Sequence, residues 1–441
     1  MIGRYVGWKN LLLIPFYLFL VSCSMQKKLS RSAREFAKNP SLQNAQVGIS
    51  IYDPAVNQFI CNYQADQYFV PASNTKIPTC YAAMKYLGDS LVAFRYRTLP
   101  GNDLLIIPSG DPTFLHPDFS SEATIRFLKK YNQLFLVNNN FHNQRYGPGW
   151  SWDDYQDDYM PENNALPLYG NMVTFTLEKG RVKVHPKYFE KLIATETKQP
   201  AGFRVARSFG LNDFSFSPGA DQHATLPFST GNLLNPGSLS LPAALLADTL
   251  QKTVSQISLP YSQYQPFVAF HSQPVDSLLT IMMHRSDNFF AEQSLLMVSD
   301  TLLDEMDSQK IIDHLLQSSF RDLPQQPHWV DGSGLSRYNL FTPQDFIRIL
   351  QRLQQEFGIQ RLKTIFPSGD SGTLKTFYKA LGENLYAKTG SMTGVLALSG
   401  YLYTKKKRLL LFSILVNNYR GSSKPVRESM EGFLFSIFNS Y

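Results

Sequence analysis

Apolar and polar positions alternate differently in different parts of this 441-residue chain. It starts with an unbroken apolar run, Leu11 to Leu20, preceded by Arg4 and Lys9. Beyond that run, both ends of the chain carry short stretches dense in β-branched and aromatic residues and bounded by turn residues, which predict strands. Gln46 to Tyr52 and Gln58 to Tyr63 flank Asp53-Pro54 and predict a hairpin. Leu385 to Lys388, Val395 to Tyr403 and Arg408 to Val416 predict three more strands, the last two joined by a charged turn at Thr404 to Lys407. Lys424 to Phe438 has helical spacing and closes the chain. Strands from both ends are expected to share one sheet. The polar stretch Gln26 to Pro40 reads as a short tether running into a helix, and Val275 to Met283 and Phe289 to Leu302 read as apolar helices. Between the ends, Leu91 to about Ser262 is rich in Pro, Gly, Asn and aromatics with many strand-like runs, and reads as an inserted β-rich region of one or two subdomains.

The leading apolar run is short for a membrane span, which needs roughly 20 apolar residues, and suits a secretory signal. Leu20-Val21-Ser22-Cys23 resembles a bacterial lipobox. That predicts a lipoprotein signal peptide over 1–22, cleavage before Cys23, lipidation of its thiol and a membrane anchor through the N-terminal lipid. An ordinary cleaved signal is the alternative. Ser24 stands where an aspartate often retains lipoproteins at the inner membrane, which favours an exported protein held at the outer membrane and facing the periplasm.

Lys+Arg 42 against Asp+Glu 35 gives a net charge of +7, a small excess for this length. It suits an acidic wall polymer or a membrane surface, and no basic stripe interleaved with aromatics points to nucleic acid. Cys61 and Cys80 could pair in an oxidising compartment. Cys80 follows Ser73 by two helical turns, on the expected buried face of one helix, so two packed thiols are the reading preferred here. No C-x-x-C or His cluster suggests a metal, and no cofactor is expected.

The chemistry lies in three short motifs in order: Ser73-Asn74-Thr75-Lys76, Ser286-Asp287-Asn288 and Lys388-Thr389-Gly390. They are the S-x-x-K, S-D-N and K-T-G set of serine β-lactamases and penicillin-binding proteins. A second Ser-x-x-Lys, Ser24 to Lys27, shows how little the first motif says alone; alone it reads as a capped surface helix. A serine hydroxyl needs a neighbouring base, and Lys76 three residues on shares a helix face with Ser73. Pro78 would disrupt an α-helix here, so a tight 3₁₀ first turn is expected, in which i and i+3 eclipse. Desolvation and a second cation such as Lys388 would favour the neutral, basic form of Lys76. Ser286 and Asn288 fall between two helices, where both can point one way. Ser286 then relays a proton between Lys76 and the leaving amine, Asn288 bonds a substrate amide, and Asp287 is structural. Lys388 and Thr389 would hold a terminal carboxylate, Gly390 would let a substrate backbone lie along the strand edge, and the N–H groups of Ser73 and Ser391 would form an oxyanion hole.

Over most of its length the chain resembles the DacB-type D-alanyl-D-alanine carboxypeptidase/endopeptidases, the class C (type 4) penicillin-binding proteins. Besides the triad, Gly110-Asp111-Pro112, Trp150-x-Trp152-x-Asp154, Asp331-Gly332-Ser333-Gly334-Leu335-Ser336 and Gly372-Thr373-Leu374 are similar to that family's recurring segments. The long step from Ser73 to Ser286 matches the family's insertion and is too long for a class A β-lactamase. Glu162 lacks the E-x-x-L-N pattern of the lactamase glutamate. The lipid anchor departs from the commonest soluble members.

The resemblance implies an α+β transpeptidase-like domain of the penicillin-binding-protein/serine β-lactamase type, an antiparallel sheet covered by helices, with a large β-rich insertion. The expected catalytic domain is 23–90 with 263–441, and the insertion 91–262. The implied activity is serine-type hydrolysis of D-Ala-D-Ala in peptidoglycan stem peptides, and of D-alanyl cross-links, through an acyl-enzyme on Ser73 that β-lactam antibiotics trap. Asp154 is implied to recognise the free amine of a diaminopimelate or lysine stem, with a structural role as the equal alternative. The Asp331-to-Ser336 loop either borders the cleft or is turn architecture, and His271 and His284 read as packing or capping residues. The rivals are a β-lactamase or esterase, and a non-catalytic penicillin- or wall-binding protein. Oligomeric state stays open.

Overall fold

The computed structural model describes residues 27–137, 139–195, 203–217, 222–230, 240–258 and 267–441. The expected signal peptide, the lipobox-like Leu20 to Cys23 and Ser24 lie outside the described residues. By internal contacts the chain forms two compact units.

The first unit comprises the described residues up to Asn74, Leu323–Pro327 and Leu340–Tyr441. Its centre is a five-stranded, wholly antiparallel sheet in the order Leu385–Met392, Val395–Tyr403, Leu409–Asn417, Gln46–Asp53, Gln58–Tyr63. The expected hairpin and the sharing of one sheet by both chain ends are therefore present, with the Lys-Thr-Gly strand outermost. Nearly every residue of the inner strands is buried, as in a sheet covered on both faces, and Val395–Tyr403 and Leu409–Asn417 read as nearly continuous apolar runs. On one face Ile49, Leu398, Phe412 and Ile414 pack with Met430, Phe433, Leu434 and Ile437 of the closing helix, Ser423–Ser440. Each such aliphatic side chain, fully buried, contributes about 1.5–3 kcal/mol. The stretch expected to be a short tether running into a helix is helical over 27–37, and it places Leu29, Ala33 and Phe36 in the same core. Their spacing of four and three puts them on one helix face. The Pro343–Phe357 helix, begun by a Thr342/Asp345 capping box, bonds the sheet through its Leu350 carbonyl, which accepts the Tyr401 hydroxyl at 2.8 Å.

The second unit comprises Thr75–Asp322 and His328–Asn339. It holds three helices that matter for the site, Lys76–Tyr86, Val275–Arg285 and Asn288–Leu303. It also holds a mixed five-stranded sheet and two three-stranded sheets. The β-rich insertion is thus present. Its large sheet, however, is completed by Val268–Pro274, which pairs with Ser90–Leu99 and lies beyond the expected 262/263 boundary. The Lys76 helix, too, groups with the insertion by contacts, so the compact units do not follow the segments 23–90, 91–262 and 263–441. Cys61 and Cys80 are buried and not in a disulfide, one in each unit.

Candidate active site

Ser73 sits on a 3₁₀ turn, Ala72–Thr75, that runs straight into the Lys76–Tyr86 helix. This is the tight start that Pro78 demands: as the third residue of the α-helix, Pro78 falls where backbone N–H groups lack helical partners anyway. Ala72 has φ +46°, a left-handed conformation that costs an alanine about 1–2 kcal/mol and turns the chain sharply just before the serine. From Pro71 to Met84, Ser73 alone is not fully buried.

Within the first unit, Ser73 and the third motif are neighbours. A Cβ added at Gly390 would lie 2.6 Å from the Pro71 carbonyl oxygen and 3.1 Å from the Ser73 nitrogen. The glycine was expected to make room for substrate; the nearer reason is that it lets the serine's own backbone approach the strand. The buried Asn74 amide, oriented by its partners, donates to the Lys388 carbonyl at 2.8 Å and accepts from the Ser399 hydroxyl at 2.7 Å. Lys388 is fully buried and its Nζ donates to the Thr389 carbonyl at 2.8 Å. The Thr389 hydroxyl is 2.7 Å from that of Thr373, in the Gly372-Thr373-Leu374 segment. The Ser391 hydroxyl accepts from Arg427 Nη2 at 3.0 Å.

The second unit builds the surroundings of Lys76. Its Nζ, fully buried, donates to Asn288 Oδ1 at 2.6 Å and to the Ser333 carbonyl at 2.7 Å. Burial outweighs the nearby charges of Asp331, Asp287 and Glu292 and pulls its pKa from 10.5 to about 8. That shift disfavours the charged form by roughly 3 kcal/mol, so a usable fraction of the amine is neutral near neutral pH. Asn288 starts its helix. Asp287 is the N-cap and accepts the Phe290 N–H at 2.9 Å, the structural role expected of it. Ser286 is the C-cap of the preceding helix with φ +62°, a position usually held by glycine, which lets the chain reverse between the two helices. Asn288 Nδ2 also donates to the Tyr159 carbonyl at 2.9 Å, so a substrate would meet only its remaining lone pair and N–H.

Asp154 lies half-buried on the 3₁₀ turn Trp152–Gln156 and hydrogen-bonds the Tyr159 side chain, one residue away from Asn288 through the Tyr159 carbonyl. Two buried acids complete this unit's surroundings of Lys76: Glu292, which the sequence did not single out, and Asp331, which opens the Asp331-to-Ser336 loop. Asp331 accepts from Trp150 Nε1, Gly334 N, Ser336 N and Asn339 Nδ2 at 2.7–2.9 Å, so its loop is tight turn architecture whose Ser333 carbonyl also touches Lys76. His271 bonds Ser90, and Glu162 accepts from Thr230 and Tyr146. Among the described residues no cluster of His, Cys, Asp and Glu could hold a metal ion.

Residues 29–436 match the model of the D-Ala-D-Ala carboxypeptidase 3 (S13) family. The chain belongs to that family. It is therefore a serine-type D-Ala-D-Ala peptidase acting on peptidoglycan. It is 24% identical to D-alanyl-D-alanine carboxypeptidase DacB of Haemophilus influenzae, with 90% of this chain and 91% of that one covered. It is also 24% identical to penicillin-sensitive carboxypeptidase A of Dictyostelium discoideum, covering 83% and 82%. In fold it is similar to the crystal structure of penicillin-binding protein 4 (dacB) from Haemophilus influenzae, with a TM-score of 0.73 at 19% identity over 94% of this chain and 99% of that one. The expected α+β transpeptidase-like fold with its β-rich insertion stands.

Proposed function

We propose that the enzyme cleaves the terminal D-Ala-D-Ala bond of peptidoglycan stems, and D-alanyl cross-links, through an acyl-enzyme on Ser73. One observation carries this reading: a fully buried lysine three residues after the serine, lowered to about pH 8 and held by Asn288 of the second motif. Ser73 Oγ attacks the penultimate D-Ala carbonyl as Lys76 takes its proton. The oxyanion is met by the N–H groups of Ser73 and Ser391. The proton passes through Ser286 to the amine of the departing D-Ala, and water then attacks the acyl ester. Lys388 and Thr389 hold the terminal carboxylate, and Asp154 pairs the free amine of the stem, a charge-assisted bond of about 1.5–3 kcal/mol. No step needs a cofactor. A β-lactam follows the same first half, but its opened ring stays attached, so the adduct persists.

Stem peptides lie outside the cytoplasmic membrane, so the enzyme acts as an exported, periplasmic protein. The finer reading is a lipoprotein: Cys23 carries the lipid, and Ser24 directs it to the outer membrane. Cys23→Ala should then release the protein from membranes with penicillin binding intact; unchanged membrane retention defeats the lipobox reading.

Mass spectrometry after incubation with muropeptide monomers and dimers tests the function. Loss of one D-Ala from monomers is expected, with splitting of dimers if cross-links are also cut. Asp154→Ala should slow both while sparing penicillin acylation, and equal losses would make Asp154 structural. Intact muropeptides beside rapid penicillin turnover would identify a β-lactamase, and intact muropeptides beside a stable adduct a mere binder.

A further inference from the structure

Glu292 lies one helical turn beyond Asn288, so both project from one face of the Asn288–Leu303 helix. It is 2% exposed and accepts the N–H groups of Gly332 at 3.1 Å and Ser333 at 2.7 Å. Three successive peptide units of the Asp331 loop are gripped on both sides. The Asp331 carbonyl accepts Trp329 Nε1 at 2.7 Å while the Gly332 N–H binds Glu292. The Gly332 carbonyl accepts the Thr79 hydroxyl at 2.7 Å while the Ser333 N–H binds Glu292. The Ser333 carbonyl accepts Lys76 Nζ at 2.7 Å while the Gly334 N–H binds Asp331 at 2.8 Å. Gly332 permits the approach, because a Cβ there would lie 2.7 Å from the Ala291 carbonyl oxygen. A lysine amine has three donors, and a neutral carbonyl fixed in direction orients it while favouring its charged form less than a carboxylate would.

We infer that Glu292 is a positioning residue, which fixes the loop carbonyl that orients Lys76 and couples the protonation of that base to a buried acid. The inference rests on Lys76 being the base for Ser73. Burial raises the pKa of Asp331, and its four donors oppose that rise. Burial and the Asp331 charge push Glu292 up to about 8, the range to which burial brings Lys76 down. The charged groups facing Lys76 within this unit are Glu292 and Asp287 of one helix and Asp331 of the loop, with Arg285 against Asp287. Each negative charge raises the pKa of Lys76. As pH rises through about 8, Glu292 gains charge and opposes the loss of the lysine proton.

Acylation by a labelled penicillin is to be followed across about pH 6 to 10 for the wild type, Glu292→Gln and Glu292→Asp, beside thermal unfolding. Glutamine keeps the size and one acceptor but cannot ionise. Lys76 then deprotonates earlier, so the rising limb should move down by ~0.5 pH unit, with a plateau lower by about ten-fold from the loosened carbonyl. Glu292→Asp, which still ionises, should keep the wild-type inflection. A Glu292→Gln limb that coincides with the wild type overturns the inference. So does a loss uniform in pH that matches a fall in unfolding temperature, the mark of a structural role. Lys76→Met separates the two claims: if it acylates at the wild-type rate, the reading of Lys76 as base has failed, whatever Glu292 does.

Discussion

Ser73→Ala is expected to abolish labelling by penicillin, and Lys76→Met to slow it by about a thousand-fold, within the range general-base catalysis commands. On the proposed mechanism the Ser73 hydroxyl forms the new bond, so its loss would leave nothing to acylate. Lys76 acts only when neutral. Its pKa near 8, set first by burial, leaves about a tenth of it neutral at pH 7 and half at pH 8. The sign follows: the acylation rate should rise through an inflection near 8 and level off above it, whereas an exposed lysine would still be rising at pH 10. Peptide mapping of the labelled protein identifies the nucleophile. Label at Ser286, or an acid limb near 10, would contradict the assignment.

The motifs and the central sheet were legible in the sequence because both are local statements. Two strands of that sheet, Val395–Tyr403 and Leu409–Asn417, show as nearly unbroken apolar runs, and Pro78 announced the 3₁₀ turn through its own stereochemistry. The partners that tune the motifs were not legible. Ser333 meets Lys76, Asn74 meets Ser399, and Thr373 meets Thr389 only after folding, and no local pattern marks such pairs. One signal was available: Asn288 and Glu292 are four apart on an apolar helix, where a buried acid needs a reason. The outer strand Val268–Pro274 escaped notice because its burial is partial and its side chains mixed.

Thr389→Val should depress turnover of an acyl-D-Ala-D-Ala peptide about thirty-fold more than turnover of its C-terminal amide, which the wild type should already handle poorly. A threonine hydroxyl that donates to a carboxylate makes a charge-assisted hydrogen bond of about 1.5–3 kcal/mol. A net ~2 kcal/mol realised in the transition state is a factor of about thirty in rate. Thr389 is 7% exposed, and its hydroxyl lies 2.7 Å from that of Thr373; when Thr373 is the donor of that pair, the Thr389 hydroxyl can donate to the carboxylate without reorganising. Valine keeps the β-branched shape that suits the strand, so the change removes the donor and leaves the fold. The comparison of kcat/KM for acid and amide, in wild type and variant, isolates the carboxylate from every other contact the peptide makes. Equal cleavage of acid and amide by the wild type would show that this strand does not read the carboxylate, and would remove the basis for preferring free stem ends over internal cross-links.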